Sequence, residues 1–350
     1  MIRVVQLVPR DGIGGVESAA RSMRDATQLQ CKFKLIFIEN TRPDSSNDGK
    51  LASFFRSENN PFAHFQALRR IINYKPDLLI CSLWRSVLVG ISVKLIRPRI
   101  KLVFFLHLPT TTHLFDQLFS KIMLSFCDAV WADSAATISS RVSSKKRLVK
   151  RVISFVTSSN PVDMKQNEFA PRFVFWGRLH HQKGIDRAIN FIRLLVEKGH
   201  SASFEIWGPD GGEKDKLIAQ INDAGLENVV ALKGAVNQGD LNQIAEVNCF
   251  YLQLSRNEGM AMSVVEAMQR SLVPIVTSVG EMGTYCKQDQ NAVLIDDPDN
   301  PIESANRVIS LLKNEFKYRQ LQNSAYDHWV KHKLYKDDIC AAASELCGRS

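Results

Sequence analysis

The sequence predicts an α/β protein built from two Rossmann-like, doubly wound parallel sheets. Short β-rich runs alternate with longer helical stretches along most of the 350 residues, the pattern that winds helices onto both faces of a parallel sheet. The runs Leu78-Leu79-Ile80-Cys81 and Leu102-Val103-Phe104-Phe105-Leu106 are apolar without interruption, as strands covered on both faces are. Length supplies the domain number. At roughly 100–200 residues per domain, the chain holds two.

In the first half, strands are expected at 3–8, 33–39, 78–81, 101–106 and 129–132, with helices at 16–28, 65–73, 86–96, 114–126 and 135–143. In the second half, strands are expected at 173–176, 203–207, 229–232, 249–252, 274–277 and 292–295. The helices between and after them fall at 185–198, 214–224, 240–246, 261–270 and 302–312. Residues 316–347 read as helical. The stretch 154–172, with Pro161 and Pro171, reads as a linker. The expected division is a first domain at 1–160, a second at 161–325 and a helical tail at 326–350 that returns toward the first.

Composition narrows the function classes. With 45% hydrophobic and 23% charged residues, the chain can fill a core in each half. No apolar run approaches the roughly 20 residues that cross a bilayer. The opening residues turn polar too soon for a secretory signal. The seven cysteines form no Cys-x-x-Cys pair, which argues against a disulfide framework or a structural zinc site and for a reducing, cytoplasmic setting. Charge is one-sided: residues 1–165 carry a balance of +13, and residues 166–350 one of −4. A field of that kind points to an anionic partner.

Open parallel sheets bind ligands beyond the carboxyl ends of their strands, and four segments with useful chemistry fall there. Residues 9–17 join the first strand to the first helix, and Gly14 and Gly15 let backbone N–H groups approach a phosphate at a helix N-terminus. A plain tight turn explains that segment as well. His107 follows the strand at 101–106. Taken alone it reads as a structural histidine bonded to a loop carbonyl. Residues 176–184 contain Gly177, which permits an open loop, and Arg178 and Lys183, which together offset about two negative charges. Cations at a helix start are unfavourable until an anion joins them. His180 and His181 lack metal-ligand spacing and read as exposed. In residues 255–268, Glu258 and Gly259 occupy a polar loop, and Glu266 lies in the second turn of a helix amid apolar neighbours. A carboxylate there needs donors, which ribose hydroxyls supply. A helix-capping Glu258 and an ion-paired Glu266 are the structural alternatives.

Together these residues resemble the retaining glycosyltransferases of family 4, whose fold is GT-B: two Rossmann-like domains facing a central cleft. Glu258 and Glu266 are similar to the family's E-x7-E pair, and Gly177-Arg178 with Lys183-Gly184 to its G-R-x4-K-G. Gly14-Gly15 resembles its N-terminal diglycine loop, and Asn160-Pro161-Val162-Asp163 the segment that closes its linker. The resemblance implies that Arg178 and Lys183 hold the donor diphosphate and stabilise it as it leaves. It implies that Glu266 binds the ribose, that Glu258 lies against the transferred sugar beside Gly259, Met260 and Ala261, and that Gly14 and Gly15 contact the diphosphate. His107 matches the family's histidine near the reacting carbon. Ala261 and Ser271 stand where the family commonly has glycine, and Met260 where it has an aromatic, so donor fit is altered more than reaction class.

The implied activity is metal-independent transfer, with no cofactor, of a hexose-type sugar from a nucleotide diphosphate sugar to a saccharide or lipid-linked acceptor. Bacterial lipopolysaccharide, capsule or exopolysaccharide synthesis is the implied setting. Two basic clusters, Lys94/Arg97/Arg99/Lys101 and Arg141/Lys145/Lys146/Arg147/Lys150/Arg151, suit an anionic membrane surface. They lack the aromatic partners that nucleic acid would use. Two other readings stand beside this one. A nucleotide-sugar epimerase of the same fold needs a further carboxylate pair. A non-catalytic membrane- or anion-binding module does not need Glu258.

Overall fold

The computed structural model describes residues 1–12, 15–23, 31–39, 59–108, 110–111, 114–142, 148–157, 168–330 and 332–348. Gly14, the cations Lys145, Lys146 and Arg147, the segment Asn160–Asp163 and the end of the first expected helix (24–28) lie outside the described residues. The chain divides into two units, Met1–Ser158 with Lys333–Ser350, and Ser159–His332.

The N-terminal unit is a parallel sheet in the order β2-β1-β3-β4-β5-β6. In chain order it contains β1 (Ile2–Val8), α1 (Gly15–Ser22), β2 (Cys31–Phe37), α2 (Pro61–Tyr74), β3 (Leu78–Ser82) and α3 (Val87–Ile96), then β4 (Lys101–Leu106), α4 (Leu114–Phe126), β5 (Ala129–Ala132), α5 (Ala135–Arg141) and β6 (Val149–Val152). All of β3 is buried, and so is β4 after its first residue, which explains why both read as unbroken apolar runs. β6 is a correction. Residues 145–152 read as a basic cluster, but Val149–Val152 pair with β5 as the outer strand. An edge strand lined with cations is protected against pairing with another chain, and its mixed composition hid it.

The C-terminal unit repeats the scheme with β7 (Arg172–Trp176), α6 (Ile185–Glu197), β8 (Ser203–Trp207), α7 (Lys214–Asp223), β9 (Val230–Gly234), α8 (Leu241–Val247) and β10 (Phe250–Gln253). It continues with α9 (Met262–Met268), β11 (Val273–Val276), the single turn α10 (Met282–Tyr285), β12 (Val293–Leu294), α11 (Ile302–Leu312) and α12 (Glu315–Val330). Its sheet runs β12-β11-β10-β7-β8-β9. The chain therefore winds outward from β7 in one direction and from β10 in the other. Helix α6 shows why it packs on this sheet: Ile185, Ala188, Ile189, Ile192 and Leu195 recur at helical spacing and are all buried.

The last helix, α13 (Tyr335–Leu346), belongs to the N-terminal unit. Tyr335 Oη donates to Gln6 Oε1 at 3.0 Å, and Gln6 Nε2 donates to Ser82 Oγ at 3.1 Å. That satisfies a fully buried amide on the central strand β1. Asp338 accepts from Arg151 at 3.0 Å and from the Ser154 N–H at 2.9 Å. Arg151 also pairs with Glu345.

Ser271, where the resemblance implied glycine, follows α9 with φ 61°. Its buried hydroxyl makes no hydrogen bond among the described residues. A left-handed residue with a Cβ and an unpaired buried hydroxyl both cost stability, and together they outweigh the chain entropy that glycine adds to the unfolded state. Ser271→Gly should raise the stability of the C-terminal unit by about 1 kcal/mol, read by urea denaturation.

Candidate active site

In the C-terminal unit the winding direction reverses between β7 and β10, which are direct neighbours. The loops leaving their carboxyl ends spread apart there and leave room for a ligand. Residues 177–184 follow β7, and residues 254–261 follow β10. Both motif segments thus stand at the one place in this sheet where the strand order opens a crevice.

One backbone bond and one side-chain bond join the two loops. The Arg256 N–H donates to the Gln182 carbonyl at 2.8 Å, and Gln182 Nε2 donates to the Asn257 carbonyl at 2.7 Å. Arg256 grips Asp186, at the start of α6, through two bonds of 2.8 and 2.6 Å. Burial of Asp186 works against its ionised form, but the Arg256 bond and charge outweigh it and hold its pKa low. Gly184 is required at the seam. With φ 62°, a Cβ on it would lie 1.9 Å from the Leu254 carbonyl oxygen. Gly280 does the same on the far side, at φ 58°, where a Cβ would lie 2.2 Å from the Glu258 carbonyl oxygen.

This seam brings Lys183 and Glu258 together. Lys183 Nζ donates to Glu258 Oε1 at 2.7 Å. Ser255 Oγ at 2.8 Å and Gln253 Nε2 at 3.0 Å donate to the same oxygen. The carboxylate is buried, and three donors offset its loss of water. Gln253 is held in turn: Ser263 Oγ donates to its Oε1 at 2.7 Å, and Tyr251 Oη lies 3.0 Å from that oxygen. Glu258 makes none of the bonds of a helix cap. The residue flanking α9 is Ala261, at φ 54° and ψ 63°. Tyr285 Oη supports that strained turn by donating to the Met260 carbonyl at 2.8 Å.

Glu266 is half-buried. Its Oε2 accepts from Trp176 Nε1 at 3.1 Å and its Oε1 from Gln238 Nε2 at 2.9 Å. Burial raises its pKa above the ordinary glutamate value, against the Gln238 bond, the Arg270 charge, the Trp176 bond and the Lys183 charge. The ion-paired alternative is not what forms. Arg270 instead donates to the backbone carbonyl of Glu266 at 3.0 Å and to Asn242 at 2.9 Å.

Arg178 and Lys183 differ from the expectation that both point at one anion. Arg178 is exposed and has no partner among the described residues, whereas Lys183 is engaged by Glu258. An ammonium has three donors, so Lys183 keeps two. His180 corrects its expected exposure. It is half-buried, and its Nδ1 accepts from the Gln182 N–H at 3.3 Å. Gln253, Ser255, Trp176, Gln238 and Tyr285 were absent from the sequence-derived site. Trp176 and Ser255 stood inside motif segments, at their first positions, and nothing in their spacing marks the indole N–H or the hydroxyl as a donor.

In the N-terminal unit, Gly15 is exposed at the start of α1. The preceding loop is pinned by Arg21, which bonds Asp11 at 2.5 Å and the Gly12 carbonyl at 2.9 Å. His107 sits just past the carboxyl end of β4, buried against the rings of Phe105 at 4.5 Å and Phe155 at 5.5 Å. Neither ring nitrogen has a partner among the described residues, so the expected loop carbonyl is not there. Burial pushes its pKa down to about 3, and the ring is neutral at physiological pH.

Residues 159–328 match the family model described as Glycosyl transferases group 1. Poly(ribitol-phosphate) alpha-N-acetylglucosaminyltransferase of Staphylococcus aureus is 27% identical over 156 residues, covering 44% of this chain and 31% of the relative. GDP-mannose:cellobiosyl-diphosphopolyprenol alpha-mannosyltransferase of Xanthomonas oryzae pv. oryzae is 25% identical over 159 residues, covering 44% and 41%. The aligned part is thus less than half the length of either relative. Anabaena HepE in complex with UDP and glucose superposes with a TM-score of 0.77 at 16% identity, covering 99% of this chain and 100% of that one. Sucrose-phosphate synthase from Thermosynechococcus elongatus gives 0.78 at 14%, covering 99% and 98%. The fold is GT-B.

The buried His107 makes stability depend on pH. Between pH 6.5 and 3 the unfolded chain binds a proton that the folded ring refuses, so folding weakens as pH falls through that window and is unaffected above it. At pH 5 the cost is about 2 kcal/mol. In urea denaturation at pH 7.5 and pH 5, His107→Phe should lose about that much less stability on acidification than the parent protein.

Proposed function

We propose that the protein is a glycosyltransferase that binds a nucleotide diphosphate sugar on the switch-point loops of its C-terminal unit. It transfers a hexose-type sugar, with retention at the anomeric carbon, to a saccharide or lipid-linked acceptor. The observation that carries this reading is the Lys183–Glu258 pair at the β7/β10 switch point, with the unpartnered Arg178 on the same loop as Lys183. The match of residues 159–328 and the sugar-transfer names of the aligned relatives support it. The alpha linkage in both names supports retention.

The chemistry follows from the free valences. Glu258 Oε1 is filled by three donors, whereas Oε2 accepts none among the described residues. Oε2 therefore faces the transferred sugar, alongside Gly259, Met260 and Ala261. The two remaining Lys183 protons and the Arg178 guanidinium take the diphosphate. As the bond to the sugar breaks, negative charge grows on the diphosphate and positive charge on the ring. Fixed cations and a fixed carboxylate oppose each change without reorganisation. Those cations serve the leaving group, so no resident metal or cofactor enters the proposal. Glu266 turns from Trp176 and Gln238 to the ribose hydroxyls, or accepts them on its remaining lone pairs. On the family resemblance alone, Gly14 and Gly15 are assigned to a diphosphate and the neutral His107 to the reacting carbon. An unsatisfied buried ring costs stability, and a bound sugar hydroxyl would relieve that cost.

We further place the reaction in bacterial lipopolysaccharide, capsule or exopolysaccharide synthesis, at the cytoplasmic side of the membrane. Seven free cysteines, six of them buried, support the reducing setting. Among the described residues, no helix is long and apolar enough to cross a membrane. The basic surface proposed for membrane contact is smaller than the sequence implied. Lys94 is taken by Asp128 at 2.8 Å, Arg141 by Asp116 at 3.0 Å and Arg151 by Asp338.

Transfer from UDP- and GDP-sugars to a lipid-linked or oligosaccharide acceptor tests the site. Lys183→Ala and Glu258→Ala should each lower kcat by about 10²–10³-fold, with thermal unfolding confirming that both variants fold. Undiminished transfer by both would overturn the assignment. A true donor at about 100 times its Kd should add about 2.7 kcal/mol of stability, and Arg178→Ala should remove most of that shift.

A further inference from the structure

The N-terminal unit has a second collection of unbalanced charge, at the amino ends of its strands. A cavity of about 500 Å³ opens there between the starts of β1, β3 and β4. Arg3, Lys75, Arg97, Arg99 and Lys101 line it, with Asp77 as its one carboxylate. Asp77 is already used: it accepts from the Arg3 N–H at 2.9 Å and lies 3.9 Å from the Arg3 guanidinium. Lys75, Arg97, Arg99 and Lys101 have no acidic partner among the described residues, and Arg97 Nη1 is buried with no hydrogen bond at all.

Two of these cations follow helix ends. Lys75 flanks the carboxyl end of α2 and Arg97 that of α3. Each end carries about half a negative charge. The two ends together offset about one of the five positive charges and Asp77 another, which leaves about three in one concavity. Like charges held together on a rigid sheet edge repel, and a buried guanidinium nitrogen without an acceptor is costly. An anion carrying several oxygens relieves the repulsion among the cations that line the cavity. The cavity is not part of the site proposed above. It lies at the start of β4, whereas His107 lies past its end, about 20 Å away at 3.3 Å per residue.

We propose that this cavity is a second anion site, which takes a phosphoryl or pyrophosphoryl group through Arg97, Arg99, Lys101 and Lys75. Two sources present that chemistry, a free phosphorylated solute and a phospholipid headgroup. The full-length Arg178→Ala/Lys183→Ala protein serves as background, so that the donor loop is silent. Calorimetric titration with inorganic pyrophosphate reads the first source. Co-sedimentation with phosphatidylglycerol/phosphatidylcholine vesicles, against phosphatidylcholine alone, reads the second. Adding Arg97→Gln and Arg99→Gln should weaken binding of one or both probes about tenfold to a hundredfold. Loss with pyrophosphate alone assigns a soluble ligand, and loss with anionic vesicles alone assigns a headgroup. Thermal unfolding verifies the fold, and Lys101→Gln should weaken binding on its own. If both probes bind unchanged after the substitutions, or neither binds before them, the proposal is overturned. Sugar transfer to a soluble oligosaccharide acceptor by the Arg97→Gln/Arg99→Gln enzyme, with Arg178 and Lys183 restored, should be unchanged, so this result and the fate of the donor site are read separately.

Discussion

A carboxylate removed from water must receive donors in return, and the C-terminal unit is arranged around that requirement at Glu258. Lys183, Ser255 and Gln253 all donate to one of its oxygens. Ser255 and Gln253 come from the strand end just before Glu258, whereas Lys183 comes from a loop 75 residues away. Holding them within hydrogen-bond reach demands the glycine at 184, the Arg256–Asp186 clasp and the backbone exchange with Gln182. Had the pair been exposed, it would be worth little. Buried, it fixes two loops relative to one another and leaves one carboxylate oxygen and two ammonium protons without a partner among the described residues. Preorganisation of this kind is what charge-stabilising catalysis needs.

The sheet strands were legible in the sequence because fully buried parallel strands are short apolar runs, and β3 and β4 are the clear cases. The candidate loops were legible because polar and glycine residues interrupt the pattern at strand ends. β6 was not, since half of an edge strand faces solvent and its lysine and arginine look like a surface loop. The network behind Glu258 was also hidden. Gln253 and Ser255 belong to a strand end with no unusual spacing, and Gln238 reaches Glu266 from 28 residues away. Such partners are chosen by strand order, which local periodicity does not report. The distribution of cations was legible only as a total. Which of them are neutralised depends on carboxylates such as Asp116, Asp128 and Asp338, supplied by other elements.

Strain and dissatisfaction gather where function is proposed. Ala261 turns left-handed beside the Glu258 loop, neither ring nitrogen of His107 has a partner among the described residues, and burial raises the Glu266 pKa. Each lowers the stability of the unit that holds it. Elsewhere polar burial is thorough. Gln6, wholly inside the first sheet, is bonded on both sides of its amide.

Helix α13 is made after the whole second unit, yet it closes the first. Until Tyr335 emerges, the Gln6 amide oxygen lacks its donor, and until Asp338 emerges, the Ser154 N–H lacks its acceptor. Domains ordinarily mature in the order of synthesis. Here the second unit is complete in sequence before the first, so the early half must wait, partly open, while the later half finishes.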